Sequence, residues 1–282
     1  MHVFKTKNEL NSYITSNNFR ANNIGLVPTM GALHKGHLSL VKQAIAENDI
    51  AIVSIFINPT QFNNAEDLKK YPKPLERDLS LLSTISDRIV VFTPSVNEIY
   101  ANNIQSKSYD FGGLEDVMEG EFREGHFDGV GTIVQELFAI TKPGKAYFGE
   151  KDFQQLMIIK KMVSLEHIPV EIVGCPIVRE ESGLAMSSRN ERLSPALRQE
   201  ASFIYKTLKV AQEKFSSASI QDTLDWVKNQ FNAHPDLDLE YIQIADIDTL
   251  KPAEKKKEHT KYRAFIAVYA DSVRLIDNIA LN

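Results

Sequence analysis

The chain has 282 residues, 43% of them hydrophobic and 24% charged, which is ordinary for a globular protein of one large or two modest domains. Its formal net charge of −5 argues against nucleic acid as the main partner, because nucleic-acid binding needs a basic face. The longest apolar runs, such as residues 50–57, are far shorter than the roughly 20 residues of a membrane helix. The polar residues 1–10 are also untypical of a signal peptide. We therefore expect a cytoplasmic protein with neither a membrane nor a nucleic acid as partner.

Apolar runs alternate with helical patterns through the first two thirds of the chain. Five apolar runs predict strands, at residues 24–27, 50–57, 88–92, 145–148 and 170–174. Amphipathic stretches predict helices at residues 8–17, 38–47, 75–86, 130–141 and 153–166. Near-continuous Val and Ile runs separated by helices indicate an α/β fold, with a parallel sheet covered by helices on both faces.

The pattern changes after Cys175. This single cysteine excludes an internal disulfide, fits a reducing compartment, and is typical of a buried small hydrophobic residue. Polar and turn residues then extend to about residue 192. Helical patterns follow at 195–215 and 220–231, and strand-like runs at 239–244, 264–270 and 273–276. We expect a first domain at residues 1–175 and a second, smaller α+β domain at residues 176–282, with the lysine-rich segment 251–261 as a solvated loop.

The segment 24–37 carries the most informative pattern. An apolar strand stops at a turn containing Gly31 and opens into a helix, which places backbone N–H groups and the positive end of the helix where an anion can sit. His34 and His37, three residues apart, can face the same way. A zinc pair is an alternative, but no further His or Cys cluster follows in the nearby sequence to complete it. The pattern favours an enzyme that binds the phosphates of ATP.

Two further segments suit a phosphate chain. Lys151 follows another predicted strand at a helix start, where a lysine acts as a point charge, although Glu150 and Asp152 also fit ordinary helix-start chemistry. Ser187, Ser188 and Arg189 lie in the polar linker after residue 175. Such a linker looks mobile, and we expect it to close when ATP is present.

Other segments predict substrate and metal contacts. Asn58 and Gln61 lie in a proline turn after the most apolar strand, where amides suit a substrate with hydroxyls and a carboxylate, and a plain capped turn is an equal alternative. Asp78 is a candidate Mg²⁺ ligand, with an ordinary surface charge as the alternative. Residues 120–129 contain too many glycines for a helix, so we expect a lid or a phosphate-facing turn with Arg123 and His126 as its ligands.

Five segments together resemble one enzyme family. They are Val-Pro-Thr-Met-Gly-Ala-Leu-His-Lys-Gly-His at 27–37, Phe-Ile-Asn-Pro-Thr-Gln-Phe at 56–62, Gly-His-Phe-Asp-Gly-Val at 125–130, Ala-Tyr-Phe-Gly-Glu-Lys-Asp-Phe-Gln-Gln at 146–155 and Gly-Leu-Ala-Met-Ser-Ser-Arg-Asn at 183–190. In this order and spacing they resemble the pantoate–β-alanine ligases, the pantothenate synthetases, of the HIGH-type nucleotidyltransferase superfamily. The resemblance implies a Rossmann-like first domain, a small C-terminal domain that closes over it, and a homodimer.

The resemblance also implies the chemistry. Members condense pantoate with β-alanine at the expense of ATP, in the presence of Mg²⁺, and release AMP and pyrophosphate. Carried over by position, His34 and His37 contact the phosphates, with His37 as the proton donor, and Lys151, Ser187, Ser188 and Arg189 also bind phosphate. The whole ATP site then comprises Met30, Gly31, Ala32, Leu33, His34, Lys35, Gly36, His37, Gly149, Glu150, Lys151, Asp152, Val178, Met186, Ser187, Ser188 and Arg189. Gln61 and Gln155 hold pantoate, and Gln61 also holds β-alanine.

Two positions depart from the family pattern, and three rival functions stay open. Lys73 stands where arginine is common, and Glu124 where proline is common, so the loops 71–78 and 121–126 match the family pattern less closely. A transferase that joins a nucleotide to a phosphorylated small molecule would share the histidines but not the 58–62 and Gln155 contacts. An aminoacyl-tRNA synthetase is disfavoured by size and acidity. A non-catalytic nucleotide-binding protein would lack Lys151 or the 186–189 segment.

Overall fold

The computed structural model describes residues 1–62, 68–69, 71–101 and 103–282, and these divide into two units. The first unit comprises Met1–Glu115, Glu119–Glu150 and Gln155–Pro176. The second comprises Asp116–Met118, Lys151–Gln154 and Ile177–Asn282. The assignment of functional domains to residues 1–175 and 176–282 stays a prediction.

Six strands form one parallel sheet in the first unit, in the order β1-β4-β3-β2-β5-β6. Their bounds are β1 His2–Phe4, β2 Ile24–Thr29, β3 Ile50–Ile55, β4 Ile89–Phe92, β5 Lys145–Gly149 and β6 Glu171–Cys175. Successive residues of β3 and β4 are buried, although neighbouring side chains point to opposite faces. The sheet is therefore covered on both faces, as the apolar runs predict.

Seven α-helices belong to the described part of this α/β region. They are α1 Lys7–Ser16, α2 Lys35–Glu47, α3 Leu75–Ser83, α4 Val96–Tyr100, α5 Glu119–Phe122, α6 His126–Thr141 and α7 Phe153–Leu165. The core joins the sheet to the apolar side of α2 and α3 through Val27, Val53, Val91, Val41, Ala44 and Leu82. The predicted α/β architecture is confirmed.

Several predicted bounds were wrong for physical reasons. The strand ending at residue 27 continues through Pro28 to Thr29, because a proline near a strand end removes little of the ladder. α2 begins at Lys35 rather than residue 38, since its first turn is hydrogen-bonded despite Gly36. The segment 120–129 contains α5 and the start of α6, so its glycines do not prevent helix there. β1 and α4 were missed because they are only 3 and 5 residues long.

The second unit is an antiparallel sheet with helices. Its strands, β7 Leu237–Asp246, β8 Tyr262–Ala270 and β9 Val273–Ala280, pair in sequence order. Its helices are α8 Pro195–Glu200, α9 Phe203–Phe215 and α10 Ile220–Asn232. The expected single helix at 195–215 is thus two, with a break at Ala201 and Ser202. Leu208, Phe215, Val227 and Phe231 pack with Ile266 and Val268 in one core. The predicted α+β class is confirmed.

Within the described ranges, no helix combines the length and the apolar character that crossing a membrane requires.

Candidate functional site

The strand order places a crevice at the carboxyl end of β2. The chain passes from β2 to β3 and β4 on one side of the sheet, whereas β5 and β6 lie on the other side of β2. Loops leaving β2 and β5 therefore diverge, and in open parallel sheets ligands bind at such a reversal of strand order. The segment 30–37 leaves β2 at this point, and residues 58–62 follow the neighbouring strand β3. The sheet thus explains why these motifs belong to one edge.

Two imidazoles cap the start of α2. His34 is the N-cap residue, and its Nδ1 accepts a hydrogen bond from the Gly36 N–H at 3.2 Å, while the Nδ1 of His37 accepts from the His34 N–H at 3.4 Å. The two ring centroids lie 4.1 Å apart. Because each Nδ1 acts as an acceptor, a neutral ring carries its proton on Nε2. The pair therefore presents two Nε2–H donors beside the positive end of a helix, which suits phosphate oxygens.

Asp78 of α3 shapes the loop that leads to these imidazoles. Its side chain is buried, Oδ2 accepts from the Ala32 N–H and Oδ1 from the Leu33 N–H, each at 2.8 Å. The motif predicts that N–H groups of this turn face a bound anion. The Ala32 and Leu33 N–H groups face a carboxylate of the protein itself, and the part of these two residues in ATP binding stays a prediction.

The same geometry does not fit Asp78 as a magnesium ligand. Mg²⁺ needs carboxylate oxygens that open toward phosphate and water, whereas this carboxylate is 1% exposed and both its oxygens accept backbone hydrogen bonds. Over the part of the chain that the structure describes, no three His, Cys, Asp or Glu side chains form a group that could hold a metal. These contacts support a structural role for Asp78 in the loop, and its assignment as a Mg²⁺ ligand stays a prediction.

Asn58 is held by protein contacts in the turn after β3. It is fully buried, its Nδ2 donates to the Gly129 carbonyl at 3.0 Å, and its Oδ1 accepts from the Tyr100 hydroxyl at 2.6 Å and from Thr60 at 3.1 Å. Burial raises the pKa of Tyr100, so this phenol stays a neutral donor. These bonds order the turn that ends at Gln61, and the predicted contact of this amide with substrate stays a prediction.

Arg123 and His126 contact the same turn from the other side. The Nη2 of Arg123 donates to the Gln61 carbonyl at 3.4 Å, and Nδ1 of the buried His126 lies 2.9 Å from that oxygen. A Cβ placed on Gly129 would lie 2.4 Å from the Thr60 carbonyl oxygen, so only glycine allows α6 to approach so closely. These two side chains bind the backbone of the turn, rather than forming the expected open lid. Among described residues the Gln61 side chain makes no hydrogen bond, which leaves its amide available to a ligand.

Three more expected residues lie near strand ends of the first unit. Gly149 ends β5, Glu150 begins a short 3₁₀ turn, and Gln155 lies in the first turn of α7, half-buried. Cys175 ends β6 and is 2% exposed, and burial raises the pKa of its thiol to about 11. The prediction of a buried small residue, rather than a nucleophile, is confirmed for this cysteine.

Lys151 belongs to the second unit, where strand β9 holds its backbone. Its side chain is 18% exposed, and its Nζ lies 3.5 Å from the Asp152 carboxylate. The Nδ2 of the buried Asn278 donates to the Lys151 carbonyl oxygen at 2.9 Å. Asn278 also accepts from an Arg263 Nη through its Oδ1, so its orientation is fixed. Sequence reasoning missed Asn278, because no local pattern links residues 127 positions apart.

The segment 178–192 is a hydrogen-bonded hairpin and turn, not the loose linker that its polar sequence indicates. The Met186 N–H donates to the Val178 carbonyl at 3.0 Å, and Arg179 pairs with Ala185 across the hairpin. Ser187 caps the short 3₁₀ helix Ser188–Arg192 by accepting from the Arg189 N–H at 3.2 Å.

Side-chain contacts of Arg179 and Asn190 secure that hairpin within the second unit. Arg179 donates to both carboxylate oxygens of Asp277, at 2.6 and 2.9 Å, and lies 3.6 Å from the Tyr205 ring centroid. Asn190 is 1% exposed, and its Nδ2 donates to Glu180 at 2.8 Å and to the Ala185 carbonyl at 3.0 Å. The serines and arginine of the motif therefore sit on a preorganised frame, which lowers the ordering cost of binding an anion.

Comparison with known proteins identifies the family. A family model described as pantoate-beta-alanine ligase matches residues 2–280. The pantothenate synthetase of Christiangramia forsetii is 57% identical over 282 residues, and that of Flavobacterium psychrophilum is 49% identical over 281 residues, with complete coverage of both chains in each case.

Solved structures agree with these sequence relatives. A crystal structure of pantothenate synthetase from Thermus thermophilus matches with a TM-score of 0.91 and 39% identity, covering 100% of this chain and 99% of that one. The pantoate-beta-alanine ligase from Francisella tularensis, crystallised with beta-gamma ATP and beta-alanine, matches with a TM-score of 0.82 and 38% identity, over 100% and 98% of the two chains. The chain belongs to the pantoate–β-alanine ligase family.

Proposed function

We propose that this protein condenses pantoate with β-alanine to give pantothenate, with conversion of ATP to AMP and pyrophosphate through a pantoyl adenylate. The family match over residues 2–280 supports this reaction. The Francisella tularensis relative, 38% identical, binds an ATP ligand and β-alanine, which are two of the three substrates that the reaction needs.

The observation that carries the proposal is the imidazole pair at the start of α2. Each Nδ1 accepts a backbone N–H, so each neutral ring has its proton on Nε2 for a phosphate oxygen. Donors fixed in this way need no rearrangement when charge develops on the leaving pyrophosphate. For His37 to supply a proton as well as a hydrogen bond, its Nδ1 must take up a proton, which breaks the hydrogen bond from the His34 N–H.

The first step forms the adenylate. A carboxylate oxygen of pantoate attacks the α-phosphorus of ATP, and the bond from that phosphorus to the bridging oxygen of pyrophosphate breaks. Lys151 and Arg189 supply positive charge for the phosphate oxygens, and Ser187 and Ser188 supply hydroxyl donors. The remaining ATP contacts proposed are those of segments 30–37 and 149–152 and of Val178 and Met186.

The second step forms the amide. The neutral amine of β-alanine attacks the acyl carbon and gives up a proton, the acyl carbon–oxygen bond breaks, and AMP leaves with that oxygen. Water would destroy the mixed anhydride, so the site must exclude it until the amine arrives. No protein nucleophile is required, and orientation alone is worth about 7–11 kcal/mol in well-aligned intramolecular reactions.

The substrate contacts proposed are the side-chain amides of Gln61 and Gln155 for pantoate, with Gln61 also for β-alanine. Asn58, Arg123 and His126 act on the Gln61 turn through the hydrogen bonds described above. We assign them to positioning that turn rather than to substrate contact.

Three further parts of the proposal stand on the resemblance. Mg²⁺ would accompany the ATP phosphates, with no protein carboxylate assigned to it. The enzyme would be a cytoplasmic homodimer, and light scattering coupled to size-exclusion chromatography tests the dimer directly.

The experiment that tests the reaction is ATP–pyrophosphate exchange, with and without pantoate and β-alanine. We expect exchange that depends on pantoate and needs no β-alanine, and formation of AMP and pantothenate when β-alanine is added. Folded protein that binds ATP but shows no exchange would remove the adenylate route.

A further inference from the structure

A buried carboxylate holds the loop ahead of the two capping imidazoles. Asp78 lies in the first turn of α3 and is 1% exposed. Its two oxygens accept the N–H groups of the consecutive residues Ala32 and Leu33 at 2.8 Å each. One side chain thus fixes two neighbouring peptide units that lie 46 and 45 residues away in sequence.

The backbone of this loop explains why an anion is needed there. Gly31 has φ +82° and Ala32 has φ +50°, both in the left-handed region, which is unfavourable for alanine. Successive N–H groups in such a turn form a concave donor site that an anion stabilises. A Cβ on Gly31 would lie 3.1 Å from Oδ2 of Asp78, so glycine is the residue that fits beside the carboxylate.

We propose that Asp78 is a positioning residue for adenylate formation, acting on His34 through the adjoining Leu33 peptide unit and on His37 through the first turn of α2. Leu33 immediately precedes the N-cap His34, so the peptide unit that Asp78 holds is one residue from the cap. This inference rests on the proposed function, which assigns both imidazoles to ATP phosphates. A displacement of about 1 Å at a reacting group costs about 100-fold in rate.

Two other roles for Asp78 make different predictions. If Asp78 were a magnesium ligand, a higher Mg²⁺ concentration would restore part of the rate that its substitution removes. If Asp78 only kept the Ala32 and Leu33 N–H groups away from phosphate, its substitution would free these donors and ATP would bind more tightly. A positioning residue gives neither result, because its loss moves the imidazoles whatever the concentration of metal.

The test uses Asp78→Asn and Asp78→Glu in the full chain. The asparagine variant keeps one acceptor and turns the other into a donor that faces an N–H group. The glutamate variant keeps the charge and moves it by one methylene. Asn48→Ala is the matched control, since Asn48 is 8% exposed, lies at the other end of α2, and donates to the Ala44 carbonyl at 2.8 Å and to Tyr147 Oη at 2.7 Å.

The readouts are the single-turnover rate of adenylate formation at saturating ATP and pantoate, the KM for ATP, the melting temperature, and the rate over a range of Mg²⁺ concentrations. We expect both Asp78 variants to lower the single-turnover rate by at least about 30-fold. Asn48→Ala should lower the melting temperature by a similar amount and stay within threefold of the wild-type rate.

Three results would overturn the inference: an Asp78→Glu rate within threefold of wild type, rescue of Asp78→Asn by Mg²⁺, or a lower KM for ATP with an unchanged rate. If Asp78→Asn does not fold, the rate of Asp78→Glu decides. A wild-type protein without pantoate-dependent exchange would instead contradict the proposed function.

Discussion

Buried side chains hold two motif segments of this protein. One of them acts as a hydrogen-bond acceptor and the other as a donor. In the first unit, the carboxylate of Asp78 accepts N–H groups from the loop before His34. In the second unit, the amide of Asn278 donates to the Lys151 carbonyl oxygen at 2.9 Å. The difference follows from the backbone, because a loop entering a helix presents N–H groups, whereas a turn after a strand also leaves carbonyl groups to be satisfied. In both cases a residue outside the motif sets the position of a residue inside it.

The two holding residues also differ in their own support. Asp78 emerges from the first turn of a helix and acts through two short bonds. Asn278 belongs to a wider network, since its N–H donates to Asp277 at 2.7 Å and Asp277 binds Arg179 of the hairpin. A change at Asn278 should therefore spread through the second unit, whereas the two Asp78 bonds described above act on the loop before His34.

Lys151→Ala, in the second unit, is the substitution for which we expect the largest effect. We expect adenylate formation to fall by about 100- to 1,000-fold, because a positive charge near the developing pyrophosphate is lost. Rapid-quench measurement of the single turnover tests this. Lys228→Ala, at a side chain that is 50% exposed, is the control and should leave the rate unchanged. Near-normal adenylation by the Lys151 variant would refute its role.

The corresponding change in the first unit is His37→Ala. A neutral donor contributes less than a full charge, so we expect a loss of about 100-fold in the same single-turnover rate. Ser39→Ala is the matched control, since Ser39 Oγ donates to the Gly36 carbonyl at 2.7 Å in the same helix turn. If both variants turn over at the wild-type rate, the histidine caps the helix and does no more.

Asn278→Ala tests the hydrogen bond to the Lys151 backbone separately from the Lys151 side chain. With the Lys151 side chain intact, we expect about a tenfold lower single-turnover rate, and the buried unpaired groups should cost about 1–3 kcal/mol of unfolding free energy. Gln212→Ala is the control, because Gln212 Nε2 donates to the Ala280 carbonyl of the same strand at 2.6 Å. Equal losses of stability with equal rates in the two variants would show that Asn278 has only a structural role.

We expect the smallest effect on turnover at Cys175, which lies in neither of the two motif segments. Since alkylation requires the thiolate and burial raises the thiol pKa to about 11, the native protein should resist iodoacetamide at pH 8 and react after unfolding. Mass spectrometry of intact protein measures this, and Cys175→Ala should keep the wild-type turnover. Rapid alkylation accompanied by inactivation would place the thiol in the site after all.

The sequence was informative where short-range patterns determine structure. Val and Ile runs predict the strands of the parallel sheet, and the His34 and His37 spacing predicts their shared helix start. Such short-range patterns could not predict the residues that hold the motif segments in place. Asp78 follows Glu76 and Arg77, which is typical of a surface helix, yet it is buried, because the loop that it binds is 45 residues away.

The predictions for residues 178–192 and 120–129 were wrong for the same reason. The polar composition of residues 178–192 predicts an open linker, since the hydrogen bonds from Arg179 to Asp277, 98 residues away, do not show in composition. The glycines of 120–129 predict a lid, whereas Gly129 is required by the close approach of the Thr60 carbonyl. Long-range contacts of this kind become visible only when the chain is folded.

Transfer of an oxygen isotope tests the adenylate most directly. Pantoate labelled with ¹⁸O in its carboxylate should pass one labelled oxygen to the phosphate of AMP, because that oxygen attacks the α-phosphorus and stays there when the amine displaces it. Mass spectrometry of the AMP product measures the transfer. Label in AMP at one atom per turnover is the predicted result. Pantothenate formed with unlabelled AMP, or with label in pyrophosphate, would contradict attack at the α-phosphorus.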